Sequence, residues 1–288
     1  MKLSRDIAEY AEMVKLGHTL FALPYALAGF CLAVFSGFDF SAAKLFWVAS
    51  AFFGARSAAM GFNRIADAEI DAQNPRTKNR ALAAGRISKK SAWGFVAASA
   101  LLMVFSAAML NKLCFYLSFP AIAVLFGYSY CKRFTSLSHI VLGAALSLAP
   151  IGAWCALAGV FEKKILFLGF ALMFQIAAFD ILYALQDEEF DKSKNLHSIP
   201  ALLGRKKSVA TSAAFLAISL ALLYFCAEAF SLGAYFYAGF AVVAMLYFAA
   251  IFIFAKSGIK KIDLVFFYIN ASCSFLTLVS IFAGGYFL

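Results

Sequence analysis

Long apolar runs separated by short polar segments dominate the pattern of the 288-residue chain. A helix that crosses a membrane needs about 20 mainly apolar residues, and nine windows reach that length. They lie near residues 17–36, 43–62, 91–110, 113–131, 138–160, 164–184, 207–227, 232–254 and 263–286. No ten-residue segments alternate between apolar and polar positions, as the strands of a membrane barrel would. The pattern therefore predicts an all-α, polytopic membrane bundle of about nine transmembrane helices.

Composition supports a membrane protein. The chain is 64% hydrophobic and 14% charged, whereas soluble domains carry about 25% charged residues. The first 15 residues form a polar, amphipathic lead with Asp6, Glu9 and Glu12, so we expect no cleavable signal peptide. The six cysteines are scattered singly without a CxxC pair, which indicates packing rather than a redox or metal role.

The basic residues divide unequally between the two ends of the predicted helices. One side receives 21 of the 25 lysines and arginines, and it includes the long connections 63–90 and 185–206. Loops in the cytosol carry such an excess, so we expect the N-terminus and both long connections there. The net charge of +10 then reflects topology and attraction to anionic membrane lipids. Because no aromatic residues interleave with the cations, we expect no nucleic-acid partner.

The two long connections each begin with a pair of aspartates. Asp67 and Asp71 stand four residues apart, as do Asp187 and Asp191, and the pairs are offset by 120 residues. Four predicted spans separate them, an even number, so both pairs emerge on the same membrane face. Little besides the carboxylates repeats between the two connections. The useful observation is that both aspartate pairs are expected on the same side of the membrane.

Carboxylates one helical turn apart repel each other unless a cation lies between them. An amide one turn earlier completes a set of hard oxygen ligands, which suits Mg²⁺. The candidate ligands are Asn63, Asp67, Asp71, Asp187 and Asp191. Since Mg²⁺ usually draws the rest of its shell from water and substrate phosphates, two such sites predict a diphosphate between them.

Basic residues beside both motifs fit a diphosphate. Arginine can clamp phosphate oxygens with two hydrogen bonds, and lysine supplies a point charge. For any single residue the alternative is an anchor at the membrane interface. The candidates are Arg76, Lys78, Arg80, Lys132, Arg133, Lys192 and Lys194.

Three motifs carry a resemblance to a known family. They are Asn63-x-x-x-Asp67-x-x-x-Asp71, "YSYCKR" after the fourth span, and "YALQDEEFD" after the sixth. The chain resembles the UbiA superfamily of membrane prenyltransferases over its whole length, which implies a single domain over residues 1–288. Within it, the chain looks most similar to 4-hydroxybenzoate polyprenyltransferases and to a bacterial branch associated with menaquinone made by the futalosine route.

The resemblance implies transfer of a polyprenyl chain from polyprenyl diphosphate to an aromatic carbon in ubiquinone or menaquinone biosynthesis. The acceptor would be a hydroxylated aromatic carboxylate, 4-hydroxybenzoate or 1,4-dihydroxy-6-naphthoate. Mg²⁺ held by the four aspartates would neutralise the departing diphosphate. The faces of Tyr128 and Tyr183 would stabilise the carbocation. The enzyme would lie in the inner membrane of a bacterium, with its active site facing the cytosol.

Two charged residues lie deeper in the predicted helices. Arg56, two turns before Asn63, is assigned to the acceptor's carboxylate or to diphosphate, and the alternative is a side chain that snorkels to the interface. Asp180, seven residues before Asp187, needs a partner. It is expected to pair with Arg56 or Lys132, or to accept the ring or hydroxyl proton.

Two departures bear on the acceptor. His197 stands where the resemblance implies a lysine, and Phe190 precedes Asp191 where two adjacent acids are common. Other acceptors in the superfamily, such as haem, homogentisate, a chlorophyllide or a sugar phosphate, therefore remain alternatives. A secondary transporter would place charges near the membrane midplane, whereas these acids cluster at the cytosolic ends of the spans.

Overall fold

A computed structural model describes residues 2–287, with side chains from residue 8 onward except residue 16. The side chain of Asp6, part of the predicted polar lead, lies outside the described residues. Between residues 2 and 287 the chain forms helices and no strand. The α-helices are α1 Lys2–Val14, α2 Leu23–Phe35, α3 Ala42–Ala66, α4 Ala68–Gln73, α5 Lys89–Leu110, α6 Lys112–Gly127, α7 Ser138–Ala158, α8 Ile165–Ala184, α9 Glu188–Ser193, α10 Ile199–Ala229, α11 Ala234–Ser257 and α12 Asn270–Tyr286.

Tighter or wider turns extend several helices. The 3₁₀ turns are Leu16–Phe21, Tyr128–Arg133, Leu185–Asp187 and Gly258–Lys261, and a π-helical turn covers Leu264–Ile269. By length and composition, eight helical segments in the described chain can cross a membrane. A ninth is added if Ala8–Phe21 and Leu23–Phe35 count as one span. The predicted all-α, polytopic class is thus confirmed, and the described chain has eight or nine candidate spans where about nine were predicted.

The start of α10 differs from its predicted position. The apolar window begins at residue 207, yet α10 begins at Ile199, where the Ser198 hydroxyl accepts a hydrogen bond from the Ala201 amide at 3.2 Å. Gly204 then breaks the regular helix with φ 70° and ψ 173°, a conformation that favours glycine. The charged residues Arg205, Lys206 and Lys207 separate the apolar residues 199–203 from the longer apolar run, which is why the hydropathy window begins only at residue 207.

The chain divides into two compact units. Unit 1 contains Met1–Thr19 and Ala43–Tyr130, and unit 2 contains Leu20–Ala42 and Cys131–Leu288. The single domain over residues 1–288 stays a prediction.

In unit 1, α3 and α5 pack closely at Gly54. A Cβ atom at Gly54 would lie 2.7 Å from the Met103 amide nitrogen and 2.8 Å from the Ser99 carbonyl oxygen, so no side chain fits. The C-terminal end of α1 buries Met13 and Val14 in a small apolar cluster of this unit. This packing places α1 beside the loop between α4 and α5.

In unit 2, α8 is the central helix and contacts α7 and α10. Its buried Gln175 accepts hydrogen bonds from the Tyr25 and Tyr247 hydroxyls, both at 2.7 Å, and donates to Asn270 Oδ1 at 2.8 Å and Ser274 Oγ at 3.0 Å. Unpaired polar groups are costly in an apolar interior, so this network ties α8 to α2, α11 and α12.

Candidate active site

The first acidic motif crosses a break between two helices. α3 ends at Ala66, and Asp67 takes φ −98° and ψ 5° before α4 begins. Backbone hydrogen bonds still connect successive turns, from the Asp67 amide to the Asn63 carbonyl at 2.9 Å and from the Asp71 amide to the Asp67 carbonyl at 2.7 Å. The one-turn spacing of the motif therefore survives the break.

Asn63 orients Asp67 in this structure. Its amide Nδ2 donates to Asp67 Oδ2 at 3.0 Å, and its Oδ1 accepts from Arg64 at 3.2 Å. The predicted role of Asn63 as a metal ligand through its amide oxygen stays a prediction, and that oxygen accepts from Arg64 here. Its structural role is to aim the neighbouring carboxylate.

Asp71 is buried and held by arginines. One guanidinium nitrogen of Arg80 donates to both carboxylate oxygens, at 2.7 and 2.8 Å, and an Arg64 nitrogen lies 4.0 Å away. The Thr77 hydroxyl donates to the Asp71 carbonyl at 3.1 Å, which fixes the following loop. The expectation that Arg80 serves phosphate alone missed its pairing with Asp71. Arg64 was not anticipated, although it lies seven residues before Asp71 and therefore on a similar helical face.

Arg56 and Tyr128 join this motif. The Arg56 guanidinium donates to the Lys15 carbonyl oxygen at 3.3 Å, while its buried Nε meets no acceptor in the described part of the chain. Tyr128 lies within electrostatic range of Arg56, Arg64 and Asp67. Unit 1 thus collects a carboxylate pair, several cations and an aromatic ring.

The predicted cations of the following loop lie at the surface. The Arg76 and Lys78 side chains are exposed, and the Arg76 amide donates to Asn74 Oδ1 at 2.9 Å. Their predicted contact with a phosphate stays a prediction.

The second acidic motif belongs to unit 2. Asp187 ends a 3₁₀ turn and Asp191 lies in α9, and both are buried. Over the residues whose side chains are described, no hydrogen-bond partner reaches Asp191 Oδ2. A buried carboxylate oxygen without a partner is costly. Such an oxygen fits the predicted Mg²⁺, whose preferred ligands in proteins are carboxylates.

Lys132 lies within electrostatic range of Asp191. Its carbonyl oxygen accepts from the His197 amide at 2.7 Å, which ties Lys132 to the segment before α10 within unit 2. Arg133 is exposed.

Two further predicted residues have local partners. Lys192 donates to Glu188 Oε1 at 2.6 Å within α9 and is half-exposed, so its charge serves an ion pair one turn apart. The predicted phosphate contact of Lys192 stays a prediction. The Tyr183 ring packs on Phe266, with centroids 4.2 Å apart.

Asp180 pairs with a residue that the sequence did not indicate. Asp180 Oδ2 lies 2.6 Å from His139 Nδ1, a partner that the predicted pairing with Arg56 or Lys132 did not include. Lys132 lies within electrostatic range, but the hydrogen bond is to His139. The two residues are 41 positions apart, and only the packing of α7 on α8 brings them together.

Among the side chains from residue 8 to 287, residue 16 excepted, no group of three or more His, Cys, Asp or Glu is placed to hold a metal ion. Each motif contributes a pair of carboxylates.

Curated relatives share much of the sequence. The 4-hydroxybenzoate octaprenyltransferase of Marinobacter nauticus is 31% identical over 248 residues, covering 84% of this chain and 82% of that protein. The enzyme of the same name from Pseudomonas aeruginosa (strain UCBPP-PA14) is 34% identical over 189 residues, 66% of this chain. That match spans 64% of the Pseudomonas protein, slightly under two thirds of its length.

Solved structures share the fold. A UbiA homolog from Aeropyrum pernix K1 is 33% identical with a TM-score of 0.83, covering 92% of this chain and 96% of that one. A UbiA homolog from Archaeoglobus fulgidus, bound to GPP and Mg²⁺, is 22% identical with a TM-score of 0.67, covering 95% of this chain and 99% of that one. The profile of the UbiA prenyltransferase family matches residues 22–284. The predicted family and transferase class are confirmed: the chain belongs to the UbiA prenyltransferase family.

Proposed function

We propose that the protein transfers a polyprenyl chain from polyprenyl diphosphate to a hydroxylated aromatic carboxylate, 4-hydroxybenzoate or 1,4-dihydroxy-6-naphthoate, in ubiquinone or menaquinone biosynthesis. The observation that carries this proposal is the buried, unpartnered Oδ2 of Asp191 in a motif of this family. The names of the curated relatives and the GPP and Mg²⁺ in the Archaeoglobus fulgidus homolog support it.

Four aspartates would hold Mg²⁺ at the two motifs: Asp67, Asp71, Asp187 and Asp191. When bound, Mg²⁺ supplies positive charge that stabilises the departing diphosphate. Arg64 and Arg80, which already surround Asp71, would add donors for diphosphate oxygens. Fixed charges of this kind stabilise the developing anion without reorganising.

Tyr128 and Tyr183 would face the carbocation left when the allylic C–O bond breaks, since aromatic faces attract cations. Apolar helices around them would exclude water, which otherwise captures the cation. The position of Tyr128 within electrostatic range of Asp67 and two arginines supports this role.

Arg56 would bind the carboxylate of the acceptor. Its buried Nε has no partner among the described residues, while its other end is anchored on the Lys15 carbonyl. An arginine with an unused buried donor suits a planar carboxylate. This geometry favours an aromatic acid as acceptor.

The excess of lysine and arginine on one side supports a cytosolic N-terminus and active site, in the inner membrane of a bacterium. Exposed apolar residues on the candidate spans, such as Leu101 and Phe248, are suited to contact with lipid.

The test offers purified protein both aromatic acids, one polyprenyl diphosphate and Mg²⁺, and identifies products by mass. We expect one acid to gain the prenyl group in place of a ring hydrogen, with release of diphosphate. Two unchanged acids beside an intact prenyl diphosphate would contradict the proposal.

A further inference from the structure

His139 is fully buried in the first turn of α7 and contacts two other helices of unit 2. Its Nδ1 lies 2.6 Å from Asp180 Oδ2 on α8, and its Nε2 lies 3.4 Å from the Ile199 amide nitrogen at the start of α10. None of the functions assigned above uses this histidine.

The two contacts fix the protonation of the ring. A backbone amide can only donate, so Nε2 must accept from Ile199 and carry no proton. The proton of a neutral imidazole then lies on Nδ1 and is donated to Asp180. Asp180 is thereby held as an anion by a neutral histidine.

Asp180 is partly exposed and shares a helical face with the first residue of the second acidic motif. Its neighbours Phe179 and Ile181 are fully buried, yet the Asp180 side chain is 22% exposed. Asp180, Tyr183 and Asp187 follow one another at helical spacing along one face of the chain. Lys132 and Asp187 are also within electrostatic range of Asp180. The partly exposed carboxylate therefore lies on the helical face that leads to the second acidic motif.

We infer that His139 is a positioning residue, which holds Asp180 ionised and oriented to take the proton that the aromatic ring loses on prenylation. This inference rests on the proposed function. Asp180 had two possible roles in the sequence, an ion-pair partner or a proton acceptor. Because the histidine that donates to it is neutral, the negative charge of Asp180 stays available for the role of proton acceptor.

The reaction balances as follows. The allylic C–O bond breaks and its electron pair leaves with diphosphate. The ring carbon beside the hydroxyl forms the new C–C bond, and the electrons of its C–H bond restore aromaticity. The released proton passes to an Asp180 oxygen and then to water, so no oxidant or reductant is required.

The kinetic test compares the acceptor with its analogue deuterated at the ring carbon beside the hydroxyl. In the wild type we expect proton removal to be fast and the isotope effect on kcat to be absent. His139→Leu should lower kcat about tenfold to a hundredfold, the range expected when a hydrogen bond to a charged group is lost, and reveal a primary isotope effect. His139→Asn keeps a donor near the Nδ1 position and should recover most of kcat, whereas Asp180→Asn should lower kcat by about 10²–10⁴-fold.

An independent readout is ¹⁵N NMR of the full chain labelled at histidine, which has only three such residues. His139 should show the neutral Nδ1-protonated form, Asp180→Asn should shift its signals, and those of His18 and His197 should stay in place.

Unchanged kcat in His139→Leu, a lower kcat without an isotope effect, or an Nε2-protonated His139 would overturn the inference. If the wild type prenylates neither acid, the proposed function and the base role fail together. The NMR result then still decides whether His139 holds Asp180.

Discussion

Asp67 and Asp187 share one backbone conformation. Asp67 has φ −98° and ψ 5°, Asp187 has φ −106° and ψ 6°, and each directly precedes a six-residue helix. Few residues occupy this region, and active-site residues are common among those that do. The repeated aspartate spacing in the sequence is thus accompanied by a repeated local structure. In both motifs the first aspartate lies at a break between helices, and the second aspartate follows one turn later.

Arg80 both holds Asp71 and competes with a metal for it. We expect Arg80→Gln to lower the Mg²⁺ concentration that gives half-maximal activity, because a positive charge beside the carboxylate is removed. The KM for prenyl diphosphate should rise, because the same charge serves phosphate. A Mg²⁺ titration at fixed substrate measures the first effect. Lys89→Gln, an exposed pair with Glu69, is the control, and parallel rises in both constants would contradict this assignment.

Replacing Arg56 should act on the acceptor. A hydrogen bond to a charged group contributes about 1.5–3 kcal/mol, so Arg56→Gln should lower kcat/KM for the aromatic acid about tenfold to a hundredfold. The KM for prenyl diphosphate should stay near its wild-type value. Steady-state kinetics with each substrate varied in turn separates the two. An unchanged acceptor KM and rate would exclude this role for Arg56.

The Gln175 network should govern stability rather than chemistry. Gln175→Leu leaves the buried hydroxyls of Tyr25 and Tyr247 without their acceptor, at a cost of about 1–3 kcal/mol for each buried group. We expect a lower Tm in detergent and an unchanged Mg²⁺ requirement. Gln73→Leu removes an exposed hydrogen bond to Glu69 and serves as the control. Equal Tm values for the two variants would contradict the argument.

Arg86 fastens α1 to the loop before α5. Its Nε donates to both Glu9 carboxylate oxygens at 2.9 Å, and NH1 donates to the Asn79 carbonyl at 2.9 Å. Arg86→Met should make α1 more susceptible to protease, with a loss of about 0.5–1 kcal/mol because the pair is partly exposed. Unaltered cleavage of α1 would show that its apolar face alone holds it.

The same pair should be insensitive to alkaline pH. The hydrogen bond to Glu9 raises the pKa of Arg86 above its ordinary value. Because the pKa of Arg86 is raised in the folded state, the stability that its charge contributes is fully present below the ordinary pKa. That stability is lost only as pH rises through the raised pKa. Protease resistance of α1 should therefore not change through loss of the Arg86 charge between about pH 7 and pH 10.

Hydropathy was sufficient to predict the membrane-spanning helices, because lipid requires each helix separately to be long enough and apolar enough. The spacing of Asn63, Asp67 and Asp71 was readable for a similar reason, since helical geometry fixes which residues lie one turn apart. The pair between Glu188 and Lys192 follows the same rule and was open to recognition.

Contacts made by loops and by tertiary packing could not be predicted from the sequence. Arg80 reaches Asp71 through a non-helical loop whose path no periodicity describes, and His139 meets Asp180 only where α7 packs on α8. Each contact adds a partner that the sequence did not indicate, Asp71 for Arg80 and His139 for Asp180.

The most direct test of the account measures Mg²⁺-dependent diphosphate release by Asp67→Ala and Asp191→Ala beside the wild type, in membranes supplied with polyprenyl diphosphate and an aromatic acid. Each variant should insert normally and release no diphosphate above background, while the wild type releases it only with Mg²⁺ present. Wild-type turnover in either variant, or turnover without a divalent ion, would contradict metal-assisted departure of diphosphate.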